Sequence, residues 1–216
     1  MRRNPIVSYS ILATTTAVVA WLGYGLTVAV VKWPLNPDSD QLVALYIGIG
    51  ACLALYLLWL RRSSVVRFWM AYDHELLHLI AATIQFKRVR SFSVSDAGRG
   101  GVQIENPNFL VAQAPYSVTV PMAIIAAFLL LGGFTPALWL SLVLSICFVY
   151  HVVSVSEAYW HDKVDLRGPR KIFHSIWAAV ALVLWIGIVV SGASQGSEGA
   201  ALYLTNSWNE SVAVIR

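Results

Sequence analysis

Long apolar runs, separated by short polar segments, divide the chain into a series of predicted helices. Residues 6–31 contain no charged residue, and a helix of that length is long enough to cross a bilayer. Further runs of about 19 residues or more recur along the chain. We therefore predict about six transmembrane helices, over residues 6–31, 42–60, 68–86, 109–131, 136–159 and 172–191.

The polar segment after the third apolar run has the alternating pattern of β-strands. Apolar and polar side chains alternate over residues 91–95 and again over residues 102–105, and the stretch between them is rich in glycine. Two such runs joined by a glycine-rich turn are typical of a β-hairpin. The predicted fold class is an all-α polytopic membrane protein with about six transmembrane helices and a short β-hairpin after the third.

The composition excludes a soluble monomer. Of the 216 residues, 58% are hydrophobic and only 12% are charged, whereas about a quarter of a soluble domain is charged. The net charge is +4, but pairs such as Arg61–Arg62 and Lys87–Arg88 flank apolar runs. This placement indicates contact with anionic lipid headgroups and no nucleic acid partner. We expect an integral, multi-pass protein of the cell (inner) membrane.

Ionisable residues interrupt the third apolar run, where each charged side chain costs about 2.5–3.5 kcal/mol on insertion scales. His74-Glu75-Leu76-Leu77-His78 matches the H-E-x-x-H motif. On a helix, the two imidazoles face the same way, one turn apart, and can bind one zinc ion. Glu75 lies about 100° round the helix and can take a proton from a metal-bound water.

A catalytic zinc ion needs a third protein ligand, and the residues alone leave its identity open. His151 and Asp165 would lie about 21 Å apart on a straight helix, so both cannot bind the same ion. The candidates are the polar residues in and after the fifth apolar run, namely His151, Glu157, His161, Asp162 and Asp165.

The neighbouring polar residues have simpler interpretations. Asp73 either orients one imidazole of the motif or pairs with Arg67, and we expect the pair. We expect His174 to lie at the membrane interface. One of the asparagines that follow the hairpin, Asn106 or Asn108, is expected to cap the next helix.

These features together resemble the site-2 protease type of intramembrane zinc metallopeptidase. The resemblance covers about residues 68–175. It depends on the motif from His74 to His78, the polar hairpin after it, Ala114-Pro115-Tyr116 in the next apolar run, and an aspartate near the end of the following one. The resemblance implies peptide hydrolysis in or near a membrane span of a substrate protein.

The resemblance also implies the third ligand. The family uses an aspartate that is usually followed by glycine, whereas Asp165 is followed here by Leu166. Some divergent bacterial relatives share an Asp-Leu or Asp-Ile pair with a glycine and an aromatic residue downstream, which Gly168 and Phe173 match. The implied site has Glu75 as the catalytic base, with Zn²⁺ held by His74, His78 and Asp165.

The predicted organisation follows from this site. Residues 1–60 would form two N-terminal accessory transmembrane helices, 61–191 a metallopeptidase-like membrane core, and 192–216 a C-terminal tail. The hairpin is either a connecting loop or an edge strand that pairs with an extended substrate segment. Two other functions remain open: a membrane zinc hydrolase acting on a lipid amide or ester, and a non-catalytic membrane subunit with a retained zinc site.

Overall fold

The computed structural model describes residues 5–33, 39–95, 98–161 and 170–215. These ranges contain seven α-helices, one short 3₁₀ turn at Leu60–Arg62 and one two-stranded antiparallel sheet. In chain order the elements are α1 (Pro5–Val31), α2 (Asp40–Leu58), α3 (Ser64–Ile84), β1 (Val89–Val94), β2 (Gly100–Ile104), α4 (Phe109–Ser117), α5 (Val120–Leu131), α6 (Leu138–His161) and α7 (Arg170–Ala213).

The helices confirm an all-helical fold of membrane type, with a hairpin after the third helix. Within the described residues, α1, α2, α6 and α7 are long and apolar enough to cross a membrane, and α4 with α5 would add a fifth span. The count is therefore four or five and differs from the predicted six. The polar motif makes α3 less apolar than its neighbours, because ionisable side chains replace apolar ones along one turn.

The surface agrees with a lipid environment. Large apolar side chains lie on the outside of the structure, among them Leu58, Leu131 and Trp160, which are 81%, 87% and 76% exposed. Scattered apolar residues are common on soluble proteins, but long helices with apolar outer faces are typical of membrane proteins. The structure is thus compatible with a protein that crosses a bilayer.

The predicted fourth span is broken into two helices. The axes of α4 and α5 are bent by 77°. A break inside a membrane exposes backbone groups that water cannot satisfy. Here the indole Nε1 of Trp185 donates a hydrogen bond to the carbonyl oxygen of Ser117 (2.7 Å), and the Val120 amide donates one to the Asp73 carboxylate (2.9 Å). The break is therefore stabilised from α7 and from α3.

The end of the chain is helical, although its sequence has no clear period. Gly196 adopts φ 65° and ψ −144° inside α7, a conformation that favours glycine. After this break the helix returns along itself, so that Tyr203 packs on Gly187. Trp21 of α1 donates a hydrogen bond to the Ser211 carbonyl (2.7 Å). Most of the predicted tail, 192–216, is thus a packed helix.

The hairpin lies along α3 and is confirmed close to its predicted position. Its register pairs Phe92 with Val102 and Val94 with Gly100. The ring of Phe92 meets Tyr72 of α3 edge-on, with 5.7 Å between the ring centroids. This contact holds the sheet over the turn of α3 that carries the motif.

Candidate functional site

The two histidines of the motif lie side by side on α3. Their ring centroids are 4.9 Å apart, with the rings nearly perpendicular. His78 is buried, and its Nδ1 is hydrogen-bonded to the carbonyl oxygen of Val111 (2.8 Å). Because a carbonyl only accepts, Nδ1 is the donor, and in the neutral imidazole the lone pair then lies on Nε2. An imidazole held in this tautomer is prepared to bind a metal ion.

The start of α4 fixes the carbonyl that orients His78. Asn108 caps this helix, since its Oδ1 accepts a hydrogen bond from the Val111 amide (3.0 Å). Its Nδ2 donates to the side chain of Gln85 at the end of α3 (2.6 Å). The capping role expected for one of the two asparagines is thus confirmed for Asn108. The cap ties the first turn of α4 to the helix that carries the motif.

The expected pair between Asp73 and Arg67 is wrong. Asp73 is buried and accepts its hydrogen bond from the Val120 amide, so it caps α5. The guanidinium of Arg67 instead donates to the carbonyl oxygen of Arg62 (3.1 Å). Asp73 faces the break between α4 and α5, where a buried backbone amide has no water to bond with and needs an acceptor. Arg67 is exposed, so water can satisfy its guanidinium. This contact fixes α3 against the broken span immediately before His74.

His174 is 2% exposed, so its side chain lies inside the protein, and its predicted position at the membrane interface stays a prediction. Its Nδ1 is hydrogen-bonded to the side chain of Gln113 on α4. The ring of Tyr116 lies between the two histidines, 6.2 Å from His174 and 5.5 Å from His74 between ring centroids. Gln113 and His174 are polar residues in two otherwise apolar helices, and such residues pair inside a membrane. This pattern is the sequence signal that could have predicted their contact.

Glu75 lies where two cavities meet. The first cavity, about 620 Å³, lies between the ends of α2 and α6, the first half of α3 and the tip of the hairpin. The second, about 760 Å³, lies between α3, β2 and the start of α4. Glu75 and Gly100 line both cavities, whereas His74 lines the first and His78 the second. Glu75 is half-buried and thus borders a cavity on each side of Gly100.

The structure describes only some of the candidates for the third ligand. Asp162, Asp165 and the side chain of His161 lie outside the described residues. Glu157 lines the first cavity together with His74 and Glu75, and it accepts a hydrogen bond from Tyr56 (3.1 Å). Within the described ranges, no group of three or more His, Cys, Asp or Glu side chains could hold a metal ion. Asp165 therefore stays a prediction.

His151 does not take part in the site. It is 2% exposed, and its ring packs against Trp185 with 6.0 Å between the centroids. It lines a smaller cavity of about 200 Å³ between α6 and α7, away from Glu75. The structure therefore places Glu157 at the cavity that His74 and Glu75 line, leaves His78 at the second cavity, and separates His151 from both.

Comparison of the chain with protein-family models, with curated proteins and with solved structures finds no match in any of the three. The chemistry of the site is therefore inferred from its own residues.

Proposed function

We propose that this protein is an intramembrane zinc metalloprotease, which hydrolyses a peptide bond in or near a membrane span of a substrate protein. The observation that carries the proposal is the position of Glu75. It lies beside the His74–His78 pair, at the junction of two cavities and directly under Gly100 of β2. A structural zinc site does not need an accessible carboxylate beside its histidines, whereas a hydrolytic site does.

The two described donors, His74 and His78, are of the residue type that binds zinc. His74, His78 and the predicted third ligand, Asp165, would hold the ion, and the bond from His78 to Val111 favours a metal-binding tautomer. When bound, zinc supplies Lewis acidity, which polarises a carbonyl and lowers the pKa of water. The remaining chemistry belongs to the protein's own side chains.

Glu75 acts as the base and then as the acid. Its carboxylate takes one proton from the attacking water as the water oxygen bonds to the scissile carbonyl carbon. The same proton passes to the leaving nitrogen as the C–N bond breaks, so that one carboxyl and one amine are formed. Because Glu75 faces both cavities, it can serve a peptide that crosses from one cavity to the other.

The hairpin supports a peptide substrate. All residues of β2, from Gly100 to Ile104, line the second cavity. Backbone groups at a strand edge can pair with an extended segment, and a helix must unwind before its peptide bond becomes accessible. A route to the site lined only by apolar helices would favour a lipid, but both cavities here include hairpin residues. This geometry favours a protease over a lipid hydrolase.

The six membrane passes in the cell (inner) membrane also belong to this proposal. Counting α3 as a span would place the histidine pair within the bilayer, next to the broken span of α4 and α5. The anchoring of that break by Asp73 and Trp185 supports such a position, since both satisfy backbone groups away from water.

The activity can be tested on purified protein in lipid vesicles, with a set of single-span reporter proteins as substrates. We expect cleavage of at least one reporter, loss of cleavage after treatment with a zinc chelator, and recovery on addition of zinc. Metal-dependent hydrolysis requires all three results, because the protein alone provides no Lewis acid. Cleavage that continues at the same rate in the chelated protein would contradict the proposal.

The contact between Gly100 and Glu75 provides a second test. A Cβ atom on Gly100 would lie 2.4 Å from Cγ of Glu75, whereas one on Gly101 would meet no atom within 4 Å. We expect Gly100→Ala to displace Glu75 and to lower kcat/KM about tenfold, since a clash costs about 1–3 kcal/mol. Gly101→Ala is the matched control for the rate assay. Equal rates for the two variants would show that the position of Glu75 under β2 does not matter.

A further inference from the structure

Among the described residues, more basic than acidic side chains line the first cavity. Arg61, Arg67 and Arg99 line it, and its only carboxylates among the described residues are Glu75 and Glu157. Arg61 lies 3.5 Å from Glu157 and pairs with it. Within the part of the chain that the structure describes, neither Arg67 nor Arg99 lies within salt-bridge distance of a carboxylate. The guanidinium of Arg67 donates to the Arg62 carbonyl (3.1 Å), so no described carboxylate neutralises Arg67 or Arg99.

Packing brings these two arginines together from separate elements. Gly98 adopts φ +72° at the tip of the hairpin, and a Cβ atom there would lie 2.9 Å from Cβ of Arg67. Hydrogen bonds to Ser95 hold the backbone of Arg99: the Ser95 amide donates to the Arg99 carbonyl (2.8 Å), and the Arg99 amide donates to the Ser95 hydroxyl (3.3 Å). Gly98 is thus packed against the first turn of α3, next to Arg99.

Arg99 lies close to the proposed point of cleavage. Arg99 directly precedes Gly100, which contacts Glu75, and one residue of an extended strand advances about 3.3 Å. A side chain that reaches Arg99 would therefore belong to a residue within about three positions of the scissile bond. A carboxylate fits a pair of guanidinium groups, which bind it through charge-assisted hydrogen bonds.

We propose that Arg67 and Arg99 form a specificity pocket for an acidic side chain of the substrate, within about three residues of the cleaved bond. This inference rests on the proposed function, because it assumes an extended peptide in the site. Membrane anchoring through lipid headgroups would be the other use of these charges. The peptide is favoured because Arg67 and Arg99 line the same cavity as Glu75, whereas Arg62 does not.

Peptide binding tests this pocket without hydrolysis. The protein would carry Glu75→Gln and be kept in an uncharged detergent. The probe is a dye-labelled peptide of alternating valine and threonine with two central aspartates, compared with the same peptide carrying two asparagines, by fluorescence anisotropy at low salt. We expect about tenfold tighter binding of the aspartate peptide, a preference that falls as salt screens the charges.

Substitutions then locate the source of the preference. Arg67→Gln combined with Arg99→Gln should bring the two affinities to within about twofold, whereas Arg62→Gln, the matched control, should keep the preference. Arg99→Glu alone should favour a peptide with two central lysines, which keeps the test valid if the double variant folds poorly. The inference is overturned if the starting protein shows no preference, if the double variant retains it, or if Arg62→Gln loses it equally.

The outcomes also separate this inference from the proposed function. A peptide that binds with the expected charge preference, in a protein that cleaves no reporter, would contradict the protease alone. Cleavage of reporters with no dependence on Arg67 and Arg99 would contradict the pocket alone.

Discussion

Replacing Glu75 with glutamine is expected to lower the rate of peptide hydrolysis by at least about 100-fold, because general-base catalysis typically contributes 10²–10⁴-fold. Glutamine has nearly the same shape, so the contact with Gly100 and the packing of the hairpin should remain. It cannot take a proton from water at neutral pH. The rate is measured on a reporter that the wild-type protein cleaves.

The same variant should keep its zinc, since Glu75 is assigned as a base and not as a ligand. Metal content measured by mass spectrometry would therefore equal that of the wild type. Glu198→Gln is the control, because Glu198 is exposed on α7 and lies outside both cavities. Loss of zinc from the Glu75 variant, or activity like that of the control, would contradict the assigned role.

Replacing His78 with alanine should remove the metal. The change deletes a proposed ligand, and zinc affinity should fall by at least about 100-fold, because loss of an outer-shell partner alone costs 10–100-fold. The variant also leaves the Val111 carbonyl without its buried partner, at a cost of about 1–3 kcal/mol in stability. Zinc titration and thermal unfolding would be measured on the same preparation.

His151→Ala is the matched control for this substitution. His151 and His78 are both buried, at 2% and 6% exposure, but His151 lies outside the two cavities that meet at Glu75. Its alanine variant should keep the full zinc content. If both variants lose zinc equally, the loss reflects general destabilisation and not a missing ligand.

Local patterns were enough to predict most of the elements. Apolar runs predicted the helices, and alternation predicted a hairpin at 91–95 and 102–105, close to the observed Val89–Val94 and Gly100–Ile104. The helix after Gly196 was not predictable in this way, because its buried face packs on α1 and on the rest of α7. The bend between α4 and α5 also depends on partners distant in sequence, Asp73 and Trp185.

For the site, too, the sequence predicts the local spacing but not the contacts between distant segments. His74, Glu75 and His78 lie close together in one helix, so the motif alone predicts their relative positions. The contacts that give them their environment join separate segments: Gly100 covers Glu75, and the Val111 carbonyl orients His78. No periodicity encodes such contacts, because they depend on how the hairpin and α4 pack against α3.

The central claim is that the protein hydrolyses a peptide bond, and the most direct test is the mass of the products formed in water labelled with heavy oxygen. The account predicts that a single-span reporter is cut in or near its membrane segment, and that the new carboxyl terminus carries one heavy oxygen atom. The Glu75→Gln variant should form no such product. An intact reporter together with labelled fatty acid released from the vesicles would contradict the account, and would identify a lipid as the substrate.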